Sequence, residues 1–146
     1  MKYNKYIKEL GITRWQFFKF NHYNIRNEFE KIEYGTNYHE MWSLDTFLAV
    51  EIYVRLRHLH DKYHWQCNFS DRNVSAITDI ECIEYERVAI ERFDKVIYAF
   101  ETIIKIYFDL IEEEYYEGFL DDPNSQNNKV LEGLKIFGEG MWGCGI

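Results

Sequence analysis

Apolar residues recur at helical spacing along most of the chain. Leu44, Phe47, Leu48, Ile52, Leu56, Leu59 and Tyr63 trace one face of an amphipathic helix. Ser43 stands where an N-cap belongs, and Asp45 puts a carboxylate in the first turn, where the helix dipole favours it. Glu51 and Arg55, four apart, are spaced to pair on or beside that face. The second pattern is longer. Ile83, Ile90, Ile97, Ile104 and Ile111 recur every seven residues, and Phe93, Phe100 and Tyr107 each stand three after an isoleucine. This is an a/d heptad seam, interrupted by Glu86 and widened by Val96, Ile103 and Leu110. The width favours the central helix of a bundle over a two-stranded coiled coil. The pattern predicts a helix from about 79 to 116, some 38 residues and roughly 57 Å long. A domain of this size is roughly 30 Å across. One end therefore projects, or the helix breaks, or a second subunit covers part of it.

Weaker signals fill in the rest. Tyr3 to Leu10 reads as a short helix ended by Gly11. Thr13 caps a second from Arg14 to about Phe20, whose rings Trp15, Phe17, Phe18 and Phe20 need an apolar partner. Asn24 caps a third, Ile25 to Tyr34, stopped by Gly35. Residues 64–78 are polar, aperiodic and read as a loop. Gly118 to Asn128 is a turn-rich linker holding the only proline, Pro123. Ser125 caps the last helix, about Gln126 to Phe137, with Val130, Leu131, Leu134 and Phe137 inward. A glycine-rich tail, 138–146, follows, with Trp142 to dock it. No hairpin turn or sustained alternation signals a strand. The expectation is one all-α domain over 1–146, a four-to-five-helix bundle built around one long central helix.

Composition sharpens this picture. Hydrophobic residues make up 47% and aromatic ones 18%, enough for a ring-rich core in a chain of 146 residues. The net charge is -8, and Asp79 to Asp122 alone holds 14 acidic and 4 basic residues. Such a balance disfavours direct binding of nucleic acid and favours a basic partner. The 3 cysteines, Cys67, Cys82 and Cys144, fit no disulfide framework. No apolar signal segment opens the chain and no run is long enough to span a membrane, so the expected place is a cytoplasm.

Three pieces carry a resemblance. They are Trp42-Ser43-Leu44-Asp45 followed by Ala49, Ile52 and Arg55-Leu56; Asp94-Lys95-Val96-Ile97-Tyr98-Ala99-Phe100-Glu101; and Glu132-Gly133-Leu134 with Phe137 and Trp142. In order and spacing, across most of Tyr34 to Trp142, this resembles a set of phage- and prophage-encoded helical proteins. That set brings no activity with it. It implies a context, a helical protein made in a bacterial host cell during infection, and by analogy a protein that binds and blocks a host factor or defence system, as anti-CRISPR proteins do.

The residues offer several constellations. Glu112, Glu113, Glu114, Tyr115, Tyr116 and Glu117, with Asp121 and Asp122, mix carboxylates with rings, suited to the Lys and Arg of a nucleic-acid-binding host protein. A solvated helix end competes with that reading. Asp45, Arg55, Asp94 and Glu101 recur in the resembling segments and suggest a buried polar network tying the two main helices together. His58, His60, His64 and Cys67 are ligand types, but His58 points away from the His60/His64 face, and surface histidines at a helix end explain them without a metal. Glu91 and Asp94 have the spacing of a magnesium-binding carboxylate pair, for which Glu30 and Glu33 would supply the facing pair. No phosphate loop, nucleophile elbow or HExxH motif is present. The reading is therefore a non-enzymatic interaction protein that needs no cofactor. A nucleotide-binding or magnesium-dependent hydrolytic bundle, and an assembly protein oligomerising through the long helix, are the alternatives.

Overall fold

The computed structural model describes residues 1–21, 32–35, 44–63, 79–114 and 122–141. Every regular element among them is α-helical, and none of these helices is long and apolar enough to cross a membrane. In chain order they are α1 (Lys5–Glu9), α2 (Arg14–Phe20), α3 (Leu44–Tyr63), α4 (Asp79–Tyr107) and α5 (Gln126–Met141). A helical turn at 32–34 ends at Gly35, whose φ is +75°. Ser43, Asn24, the loop at 64–78 and Trp142 lie outside the described residues.

Local chemistry explains the ends of these helices. Asn4 caps α1 by accepting from the amides of Tyr6 and Ile7, at 3.0 and 3.3 Å. Gly11 then turns the chain with φ +88°, a conformation L side chains resist. At α2, Thr13 Oγ1 accepts from the Gln16 amide while Gln16 Oε1 accepts from the Thr13 amide, a complete capping box. At α5, Ser125 Oγ accepts from the Asn128 amide at 3.2 Å, as its position suggests.

The core joins α1, α2, α3, α4 and α5 through Ile7, Phe17, Phe20, Val50, Tyr53, Phe93, Val96, Phe100, Ile104 and Ile136, all buried. Phe20 closes one end, with its ring 4.7 Å from Phe47 and 5.4 and 5.3 Å from Tyr107 and Phe108. Helices α4 and α5 approach closely. A Cβ built on Gly133 would meet Ala99 Cβ at 2.5 Å and run into the Lys95 carbonyl oxygen. Only a glycine fits there. Lys95–Glu132 and Arg92–Glu139 ion pairs, at 2.7 and 2.9 Å, flank this contact. Segments 94–101 and 132–134, two of the three pieces quoted above, thus meet at one helix crossing.

The isoleucine ladder does not lie inward as a whole. Ile104 is 0% exposed and Ile97 half-buried, but Ile90 is 40% and Ile83 69% exposed. The progression has a geometric cause. A straight α-helix drifts about 20° per heptad, so three heptads back from Ile104 the row has swung roughly 60° off the core. The buried row is Ala89, Phe93, Val96, Phe100 and Ile104, which follows the true helical period. Tyr107, at 42% exposed, and Ile111, at 38%, lie at and beyond the helix end.

Nor does α4 reach residue 116. It stops at Tyr107, and Asp109 takes φ +55°, the left-handed region. The Leu110 amide then donates to the Lys105 carbonyl at 2.8 Å and the Asp109 amide to Ile106 at 3.1 Å. These bonds satisfy the carbonyls a helix end leaves open. Asparagine and aspartate tolerate this conformation better than other L residues, which is why the break falls at Asp109. Two further expectations shift. Helix α5 runs on to Met141 through Gly138; Ile136 is its buried apolar side chain, Leu134 and Phe137 pack against the core as expected, and Leu131 is exposed. On α3 the buried row is Thr46, Phe47, Ala49, Val50, Tyr53 and Leu56, with Ile52 and Leu59 packed against the core, and of the expected face Leu48 alone among the described side chains is exposed.

Candidate interaction surface

Past the α4 cap, residues 112–114 form no regular element and lie beside the start of α5. Gln126 laces the two together. Its side-chain amide donates to the Glu112 carbonyl at 3.1 Å and its Oε1 accepts from the Glu114 amide at 3.0 Å. In return, Glu114 Oε2 accepts from the Gln126 backbone amide at 2.9 Å. A carboxylate thus sits at the N-terminus of α5, where open amides and the helix dipole favour negative charge. Asp122 is used similarly: its carboxylate takes the Asn124 amide at 2.9 Å and its carbonyl takes Asn128 Nδ2 at 2.7 Å.

The eight residues expected to form one partner surface therefore divide. Glu114 and Asp122 hold the local fold. Glu112 and Glu113 are exposed and have no ion-pair partner among the described residues. Tyr115, Tyr116, Glu117 and Asp121 lie outside the described residues. Sequence reasoning missed Asp109, because it placed that residue within a helix. Asp109, Glu112 and Glu113 in fact surround a recess of about 530 Å³ with Ile106, Leu110 and Ile111 on its walls. A surface of this kind mixes carboxylates with apolar side chains.

The polar network expected between α3 and α4 does not form. Asp45 is exposed and accepts from the amide of its own neighbour Thr46 at 2.8 Å. Arg55 is exposed and pairs with Glu51 on α3 itself, the one partnership its spacing suggested. Glu101 pairs with Lys105 within α4, and Asp94 is exposed. The physical reason is rotational: with Phe93, Val96 and Phe100 inward, Asp94 lies on the outer side.

A different polar cluster joins α1 to α3. The Arg57 guanidinium lies 5.6 Å from the Tyr6 ring and 5.9 Å from the Tyr53 ring. It donates to the Tyr53 hydroxyl and to Glu9, both at 3.3 Å. Burial pushes the Tyr53 phenol up to about 12, with the Arg57 charge opposing. Desolvation raises the Asp61 carboxyl, but the hydrogen bond with His60 and the Arg57 charge outweigh it and hold it below its ordinary value. The signal was present as Tyr53, Arg57 and Asp61 at steps of four, one helix face.

The two described histidines, His58 and His60, do not converge. His58 Nδ1 faces the Tyr6 hydroxyl at 3.4 Å, whereas the His60 ring stacks on Phe93 at 5.5 Å. His64 and Cys67 lie outside the described residues, as does Glu30. Glu91 is engaged by Arg87, and Glu33 is exposed. Among the described residues no three His, Cys, Asp or Glu side chains gather as metal ligands. Comparison of the chain with protein-family models, curated proteins and solved structures finds no match.

Proposed function

We propose that this chain is a phage-encoded accessory protein that blocks a basic host protein, one that binds nucleic acid or serves in defence, through the acidic end of α4. One observation carries the reading: Asp109, Glu112 and Glu113 share a recess with Ile106, Leu110 and Ile111, without cations to neutralise them among the described residues. Unpaired carboxylates attract Lys and Arg over a distance and steer encounter. Ile106, Leu110 and Ile111 supply apolar area for the contact itself, and the exposed Tyr107 ring extends it. The Gln126 lacing fixes the segment in place, which lowers the entropy lost on binding.

Affinity capture from a bacterial host lysate tests this, with the wild-type chain beside Glu112→Lys/Glu113→Lys. A basic host protein held in stoichiometric amount by the wild type, and lost from the variant, is the expected result. Recovery of the same proteins by both chains would overturn the reading.

A further inference from the structure

A second recess, of about 330 Å³, lies between the start of α1 and α3. Small-molecule sites span roughly 300–1,000 Å³, so this one suits a compact ligand. Val54, Arg55, His58 and Leu59 line it from within about 140° of α3, at about 100° per residue. Lys5 and Tyr6 line it from α1. Asn4 borders it too, but its side chain is committed to capping α1.

Its surface is overwhelmingly apolar. Tyr6 is buried, and Val54 and Leu59 are half-buried and packed against the core. Its charged members, Lys5 and Arg55, are both cations, and no Asp or Glu lines it, in a chain with 25 acidic and 17 basic residues. Lys5 Nζ lies 4.6 Å over the Tyr6 ring, which sets that charge against an apolar wall. Lys5 pairs with Asp61 at 3.6 Å and Arg55 with Glu51, but the two cationic side chains are 61% and 72% exposed. Pairs this open to water are weak, and an incoming anion replaces them at little cost. An apolar wall with cations and no anion complements a molecule that has an apolar body and one carboxylate. A highly charged ligand would leave the wall uncovered, and a neutral hydrocarbon would leave the cations unused.

We infer that this recess binds a small organic acid, with its apolar body against Tyr6, Val54 and Leu59 and its carboxylate at Lys5 and Arg55. The site shares no residue with the acidic recess, so it stands whatever that recess binds. Tyr6 also meets Arg57 and His58 in the joint between α1 and α3. An occupied recess therefore holds α1 against α3, and the ligand raises the melting temperature by binding the folded chain alone.

Calorimetric titration of the purified full chain with sodium octanoate at low salt tests this, with methyl NMR to locate the site. Octanoate saturates one site, and the methyl signals of Val54 and Leu59 move with the titration while those of Ile136, on α5, stay. Lys5→Gln/Arg55→Gln changes two exposed side chains and so keeps the wild-type circular dichroism. It binds octanoate about 10-fold or more weakly, and the wild type binds neutral 1-octanol as poorly. No saturable binding up to roughly 10 mM octanoate would overturn the inference. So would equal octanoate affinity in the two chains, equal affinity for octanol, or shifts that spare Val54 and Leu59. Tighter binding of the peptide acetyl-Ala-Ala-Leu than of octanoate would assign the recess to the C-terminus of another protein, which also overturns it. Neither a host protein nor the acidic recess enters this experiment, so its result and the capture result stand or fall separately.

Discussion

Two glycines on one helix should respond oppositely to the same change. In an exposed helix interior Gly→Ala stabilises by about 1 kcal/mol, because alanine loses less backbone freedom on folding. Gly138 meets these terms: a Cβ there would find nothing within 4 Å. At Gly133 the new methyl would stand 2.5 Å from Ala99 Cβ and overlap the Lys95 carbonyl oxygen. Carbon atoms pack at roughly 3.5 Å or more, so α4 and α5 must part by about 1 Å. That separation loosens the Phe100–Phe137 ring contact, now 5.0 Å between centroids, and the packing of Ile136. Overpacking of this kind costs about 1–3 kcal/mol, which outweighs the propensity gain. Gly133→Ala should therefore lose about 1 kcal/mol net, and Gly133→Val about 3 kcal/mol, since valine adds bulk and gains less propensity. In a domain of this length each kcal/mol moves Tm by about 2–4 °C. Thermal melts followed by circular dichroism read both signs. A rise in Tm for Gly133→Ala equal to that for Gly138→Ala would refute the close crossing.

Other outcomes follow from the same physics. Asp109→Gly should stabilise by about 1 kcal/mol in urea melts, by relieving the left-handed strain and removing a negative charge from a helix C-terminus; an unchanged midpoint would place the α4 stop elsewhere. Ser125→Ala should cost about 1 kcal/mol by opening the amide cap of α5, against no change if that hydroxyl is idle. The Tyr53 phenol is raised in the folded state to about 12 from 10.0. Its stabilising effect is therefore complete below pH 10 and is lost as pH climbs from 10 to 12, by up to about 1.4 kcal/mol per pH unit. Urea melts across that window should fall steeply for the wild type and less so for Tyr53→Phe; parallel slopes would mean that Tyr53 ionises freely.

Helix existence was legible wherever a cap or a stop stood beside a period. Thr13 with Gln16, Gly11, Ser125 and the row from Leu44 to Tyr63 place four helices within a residue or so at one end or both. The end of α4 was not legible, because an aspartate in the left-handed cap looks like any polar residue on a helix surface. Inward direction was legible only near the middle of the seam. A heptad repeat describes a supercoiled pair, and on a straight helix it drifts off the core by Ile83. The site was half visible for a related reason. Glu112 and Glu113 are exposed as their sequence suggests, but the work of Glu114 depends on Gln126, twelve residues away in sequence. The Gly133 crossing depends likewise on Lys95 and Ala99, and local pattern carries no information about such pairings.

Binding through the acidic recess is tested most directly by calorimetric titration of the purified chain with the captured host protein at several salt concentrations. The expected affinity falls steeply with salt and drops by roughly 100-fold or more in Glu112→Lys/Glu113→Lys. An affinity indifferent to salt and equal in both chains would contradict it.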